Sequence, residues 1–307
     1  MMLLQVANVA ALAIMPVVLA GIIGRVKSLW SGRKGPPILQ LAYDLVRLAQ
    51  KRPVYSTTTT PLFRLAPHLF LVTSLGSGFI APLLGSAPLA SFQFDFVWFA
   101  YVWGFGRVAI MLAALDAGSS FEGMGAAREA VFSAILEPAF FLVAGALSFL
   151  GGHRTLQEIA TLHLRAGGPA VVWVLAVAAL LIILQVETSR MPVDDPSTHL
   201  ELTMVHEVMT LDHSGPDLAA IQLGTATKLF VGCSLIATLL NPWAGSASLL
   251  SCLANLALCA LVAVFVGSVE SLLARFKLKA VPQYIAVALA CGGVALLATI
   301  WRVGAVK

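Results

Sequence analysis

The stretch "PAVVWVLAVAALLIILQVETSRMPVDDP", residues 169–196, decides how this sequence is read. Up to Val186 it carries no charge. Glu187, Arg190, Asp194 and Asp195 then follow within ten residues. An apolar run of about twenty residues is the length that crosses the hydrocarbon layer of a bilayer as a helix. The stretch therefore reads as a membrane span that ends abruptly in a polar loop.

The rest of the chain has the same character. Of 307 residues, 59% are hydrophobic and only 11% charged, and the mean hydropathy is +0.91. A soluble domain is about 25% charged, so lipid is the main solvent here. Eight segments qualify as spans: roughly 3–24, 63–85, 96–115, 128–150, 169–188, 223–242, 247–272 and 281–302. The expected fold is all-α: a polytopic helix bundle forming one integral membrane domain over 1–307. No internal repeat and no low-complexity tract interrupts it.

Charge fixes the expected orientation. No Lys or Arg precedes the first span, whereas Arg25, Lys27, Arg33 and Lys34 follow it. A cleaved signal peptide has its positive charge in front, so this reads as a retained helix with its N-terminus outside. Alternating eight spans then puts fourteen of the nineteen Lys and Arg inside and four outside, with Arg107 within a span. Such a bias sets topology, and it places loops 25–62 and 189–222 in the cytoplasm of a multi-pass inner-membrane protein. The net charge of +4 needs no nucleic acid.

In the first loop, Leu41, Leu45 and Leu48 share one helical face, with Asp44, Arg47 and Lys51 elsewhere. This predicts a short amphipathic helix on the membrane surface. In the second, Asp195 followed by Pro196 resembles a helix start, predicting a helix from about 196 to 211. His199, His206 and His213 would then share a side.

Several chemistries are excluded. "HEVMT" begins like a zincin helix, but Thr210 stands where the second ligand is needed. There is no P-loop, no dinucleotide turn and no serine-hydrolase elbow. Cys233, Cys252, Cys259 and Cys291 lie inside apolar segments without C-x-x-C spacing, so they read as small hydrophobes rather than metal ligands.

What remains is a set of ionisable groups at or in the membrane. A charge at the bilayer centre costs about 2.5–3.5 kcal/mol on insertion scales, so such groups face a bundle interior or a hydrated cavity. Glu137 is the sharpest. It is followed by Pro138, which leaves the carbonyl of Ala134 without its helical partner. It reads either as a proton-relay site or as a structural carboxylate bonded to a neighbouring helix. Glu187 and Arg190, three apart, read as a pair, functional or merely interfacial. Arg107, flanked by glycines in "WGFGRVA", has room to meet an acid on another helix. Glu270, near Arg275, reads as an interfacial charge. Asp116, Glu122, Arg128 and Glu129 complete the set.

Glu187, Thr188, Arg190, Pro192, Asp194, Pro196 and Glu201 together resemble the E-T-[NS]-R-x-P-x-D-x-P-x4-E signature of the complex I membrane subunit 1 family. The spacing from Arg128 to Glu137 is similar to that family's arginine and glutamate. Within the family, "LDAGSSFEGMGAAREA" (115–130) and "HLELTMVHEVM" (199–209) resemble the hydrogenase branch, the membrane subunit of formate hydrogenlyase and related energy-converting [NiFe]-hydrogenases. The first loop, "SGRKGPP", departs from the G-P-N-R-x-G-P pattern associated with quinone binding.

The resemblance implies a non-catalytic subunit that anchors a cytoplasmic arm and couples it to proton movement. Iron–sulfur clusters and the [NiFe] site are expected in partner subunits, with no cofactor or metal in this chain. The expected partners are an iron–sulfur small subunit, a hydrogenase large subunit and antiporter-like membrane subunits. The implied proton path comprises Glu137, Glu187, Glu129, Asp116 and Glu122, with Arg107, Arg128 and Arg190 as charge partners. Asp194, Asp195, His199, Glu201, His206 and Glu207 form an expected docking loop. Two other readings stand beside it: a quinone-site subunit of NADH:quinone oxidoreductase, and a stand-alone secondary transporter.

Overall fold

The computed structural model describes residues 2–152, 154–162, 170–194, 204–246 and 248–305. Among them it contains eleven α-helices and no strand: α1 (Met2–Trp30), α2 (Gln40–Ala49), α3 (Pro61–Ile80), α4 (Asp95–Asp116), α5 (Ser120–Gly151), α6 (Leu156–Ala160), α7 (Ala170–Glu187), α8 (His206–Met209), α9 (Gly215–Leu240), α10 (Leu249–Leu272) and α11 (Val281–Ala305). Eight of these are long and apolar enough to cross a membrane. Helices are the expected solution, because hydrocarbon offers the backbone no partners and a helix satisfies its own.

The spans match the eight read from the sequence, with shifted edges. α5 begins at Ser120 and α9 at Gly215, each about eight residues before the apolar window. Both extra turns carry acids, Glu122 and Asp217, and both acids are buried in the protein. Local signals set several ends. Thr60 caps α3, its hydroxyl accepting from the Leu62 amide at 3.3 Å, with Pro61 opening the helix. Thr155 and Glu158 form a reciprocal capping box at α6.

α9 is the hub. In its apolar window 83% of residues are buried, against 50% or less in every other span. It packs against α1, α3, α7 and α10, and Leu229, Phe230, Val231 and Cys233 are fully enclosed. The amphipathic helix predicted around Leu41–Leu48 is present as α2. Rather than lying free on a membrane surface, it packs on α9 and α1 and buries Leu48.

The two ends of the bundle are built differently. At one end, the segment 81–90 is tied down by buried polar side chains. Ser234 donates to the carbonyls of Pro82 and Leu83 at 3.0 and 2.8 Å, and Asn255 donates to Leu83 at 3.0 Å. At the other end lie the two long loops and the start of α5. Here α7 matters most. It ends at Glu187, whose carboxylate lies beside Arg107 in the interior of α4, so the polar chain after Glu187 begins inside the bundle. Ser189 turns it with φ of 51°, and α8 packs against α5 and α4.

Candidate functional site

The site forms where α7 stops. Arg107 lies nine residues before the end of α4, roughly 14 Å along the axis, and is buried. Its Nη2 sits 2.8 Å from Glu187 Oε1 and 3.5 Å from Glu137 Oε1. Its Nε sits 3.9 Å from Glu129 Oε1. On the far side of Glu187, Oε2 is 3.3 Å from Lys228 Nζ. Lys228 also faces the rings of Phe70 and Trp103, at 4.9 and 5.5 Å from their centroids. Two cations and three carboxylates from α4, α5, α7 and α9 thus meet inside the span. Such a group persists in a dry interior only when its charges compensate one another.

The glycines beside Arg107 act as the sequence implied. A side chain at Gly104 would begin 3.2 Å from Glu137 Oε1, so the missing side chain lets that carboxylate approach. A small cavity of about 10 Å³, lined by Arg107, Glu129, Glu187, Lys228, His206 and Ser189, lies at the centre. That is room for about one water. Nη1 of Arg107 has no hydrogen-bond partner among the described residues.

The loop around this cluster is pinned by two crossed ion pairs to α10 and the segment after it. Arg190 Nη1 is 3.4 Å from Glu270 Oε1, and Arg275 Nη2 is 3.0 Å from Asp194 Oδ1. Glu270 also meets Lys27 of α1 at 3.0 Å, and its side chain is only 1% exposed. Asp194 Oδ2 accepts from the Val205 and His206 amides at 3.1 and 2.9 Å, which positions α8. These contacts correct three readings. Glu187 pairs with Arg107 and Lys228, not Arg190. Glu270 is a buried anchor for Lys27 and Arg190, not an interfacial charge. Lys228, one of the fourteen cations that the charge bias puts on the inner side, is fully buried in the middle of α9.

The remaining candidates spread outward. Arg128 donates to the Met204 carbonyl at 2.7 Å and so holds the loop to α5. Glu122 is buried and accepts from the Asp212 amide at 3.2 Å. Asp116 accepts from the Thr60 amide and hydroxyl at 2.8 and 2.9 Å, bracing the start of α3 away from the Arg107 cluster. Asp195, His199, Glu201 and the first half of the predicted helix 196–211 lie outside the described residues. Of the described half, 204–211, only α8 is helical.

Loop groups near the cluster are electrostatically displaced. Burial pushes the Glu207 carboxyl up to about 7, with Asp194 adding to the rise and Arg190 opposing it. Burial brings the His206 imidazole down to about 4; Lys228 adds to that, while Asp194 and Glu187 oppose it. Burial also lowers His213 to about 4, where it stacks on Phe63 at 4.0 Å. Glu207 and His206 border a larger cavity of about 200 Å³, with Arg190, Leu41, Leu218 and Gln222 in its wall. Among the described residues no three His, Cys, Asp or Glu side chains are grouped to hold a metal ion.

This arrangement resembles known proteins along nearly its whole length. A family model described as NADH dehydrogenase matches residues 2–301. Hydrogenase-4 component C of Escherichia coli (strain K12) is 26% identical over 254 residues, covering 82% of this chain and 80% of that protein. Formate hydrogenlyase subunit 4 of the same organism is 25% identical over 227 residues, covering 73% of each. Among solved structures, a chain of the membrane-bound sulfane sulfur reductase, an archaeal respiratory membrane complex, superposes with a TM-score of 0.79. It covers 97% of this chain and 99% of its own length at 19% identity. That last likeness speaks for the fold.

Proposed function

Because the chain belongs to the NADH dehydrogenase family, of the complex I subunit 1 type, we propose that it is the membrane-anchoring and proton-coupling subunit of a membrane-bound [NiFe]-hydrogenase or formate hydrogenlyase-type complex. Its long loops face the cytoplasm and its N-terminus lies outside. A cytoplasmic iron–sulfur small subunit and hydrogenase large subunit dock on the loop around Asp194–Glu207, and the redox centres belong to them. Both curated relatives are named as parts of larger assemblies, which favours a subunit over a stand-alone transporter.

One observation carries the coupling role: Glu137. It sits 17 residues into α5, roughly 25 Å along that helix, yet 45% of its side chain is exposed. A carboxylate at that depth is costly against lipid, so this face suits a neighbouring membrane subunit. Arg107 then links Glu137 on the outer face to Glu129 and Glu187 inside. The path runs from the loop through Glu187 and Arg107 to Glu137 and on to antiporter-like subunits. Glu122 and Asp116 flank its cytoplasmic side.

The 200 Å³ cavity favours a second reading. Ala20, Leu41, Leu218 and Ile221 face Arg190, His206, Glu207 and Gln222 across it. That mixture suits an apolar molecule with a polar head, as in a quinone-site subunit. Purifying the tagged chain from membranes and identifying the soluble proteins that accompany it decides between them. A large subunit with two C-x-x-C pairs supports the hydrogenase reading. One without them supports the quinone reading, and recovery of an active chain alone overturns both.

A further inference from the structure

The open 200 Å³ cavity and the water-sized chamber at the charge cluster share two lining residues, His206 and Ser189. These two residues therefore border both spaces. The imidazole is placed rather than loose. The His206 amide donates to Asp194, which Arg275 holds in turn, and its ring lies 6.2 Å from that of Phe70. His206 Nε2 is buried without a hydrogen-bond partner among the described residues. Arg107, Glu129, Glu187 and Lys228 line the chamber with it; Arg190 and Glu207 line the cavity.

An imidazole suits this place for a chemical reason. It has two ring nitrogens, one protonated and one free in the neutral form. It can bind a proton on one nitrogen and release another from the second, so one proton enters and one leaves. The surroundings set the resting state. Lys228 and burial keep the ring neutral, while Asp194 and Glu187 favour the charged form. The ring therefore rests neutral, with one nitrogen unprotonated.

We propose that His206 is the proton-transfer group between the open cavity and the buried charge cluster, with Ser189 completing the partition beside it. A proton from the cavity, where Glu207 is the nearest carboxyl candidate, binds the free ring nitrogen. The proton on the other nitrogen passes to the chamber and reaches Glu187 or Glu129. Rotation or tautomer exchange then resets the ring. This rests on the proton-path reading of the Arg107 cluster and adds its point of access.

The test uses the complete complex in proteoliposomes, with turnover driven by reduced methyl viologen and proton movement read by a pH dye. In His206→Ala, proton movement per turnover is expected to fall roughly tenfold or more, and millimolar imidazole is expected to restore it. Unchanged proton movement, or a loss that imidazole does not relieve, overturns the relay. If His206→Ala fails to assemble, Ser189→Cys treated with a small thiol reagent decides, with treated wild type as reference. Loss on modification supports the partition, and retention overturns it. Glu137→Gln separates the two levels. If it impairs proton movement while His206→Ala does not, only the relay fails. If it too is without effect, the underlying path fails.

Discussion

Arg107 Nη2 lies 2.8 Å from Glu187 Oε1, joining the interior of α4 to the last residue of α7. Lys228 takes the other oxygen of the same carboxylate. One acid thus holds two buried cations from two helices, and most consequences for stability and function run through it.

Glu187→Gln leaves Arg107 and Lys228 without their shared counter-charge. Breaking a buried pair by removing one partner costs about 3–5 kcal/mol. The variant is expected to melt well below wild type in detergent. Adding Lys228→Met removes the surplus cation and is expected to recover part of that loss. A double variant no more stable than the single one contradicts the shared-charge arrangement.

Glu137→Gln behaves differently. Its carboxylate is half-exposed and is one of three around Arg107. The complex is expected to assemble with stability changed by only about 0.5 kcal/mol, the usual range for surface changes. Proton movement per turnover is expected to collapse. Gas evolution and the pH gradient, measured together, separate the two effects.

The loop is expected to respond to pH in a defined direction. Glu207 is raised from 4.5 to about 7, so the folded loop holds this proton more tightly than the unfolded one. Its contribution is fully present in acid and is lost as pH rises through about 7. His206 and His213 are lowered from 6.5 to about 4. Their contribution is present above 6.5 and is lost as pH falls towards 4. Comparing wild type with Glu207→Gln isolates the first effect. Hydrogen exchange of loop amides 204–214 is expected to show wild type losing protection relative to the variant between pH 4.5 and 7, with a constant difference above. A difference independent of pH refutes the assignment.

Gly125 of α5 is where α8 is seated. A Cβ there would lie 2.4 Å from Val208 Cγ1 and 2.9 Å from the Val205 carbonyl, so a side chain must push the segment away. Gly125→Val is expected to expose 204–209 to exchange and to protease while α5 itself remains folded. Undisturbed protection of that segment would show that α8 does not depend on this seat.

The spans were legible because lipid imposes a single rule, about twenty apolar residues in a row. The room around Arg107 was legible from its flanking glycines. Pairings across the chain were not. The i, i+3 reading of Glu187 and Arg190 failed because the helix ends at Glu187 and Ser189 turns the chain, so the spacing no longer describes a helix face. Glu270 read as an interfacial charge because it lies near the end of α10 at Leu272, but its partners Lys27 and Arg190 come from distant parts of the chain and bury it. Lys228 was hidden because a lysine five residues inside an apolar window looks like one that reaches the headgroups. Only the early start of α9 at Gly215 places it deep.

The end of α7 at Glu187, inside the bundle, has an electrical consequence. A well lined by polar groups carries the potential of the solution it opens to, so little of the membrane voltage falls along it. On the proposed path the drop falls across the bundle beyond the open cavity, up to the Ser234–Asn255 network at the opposite end. A unit charge crossing the full voltage exchanges about 2.3 kcal/mol per 100 mV. On the proposed proton path, arrival at Glu207 in the open cavity is therefore nearly voltage-independent, and most of that work attaches to the steps from His206 inward.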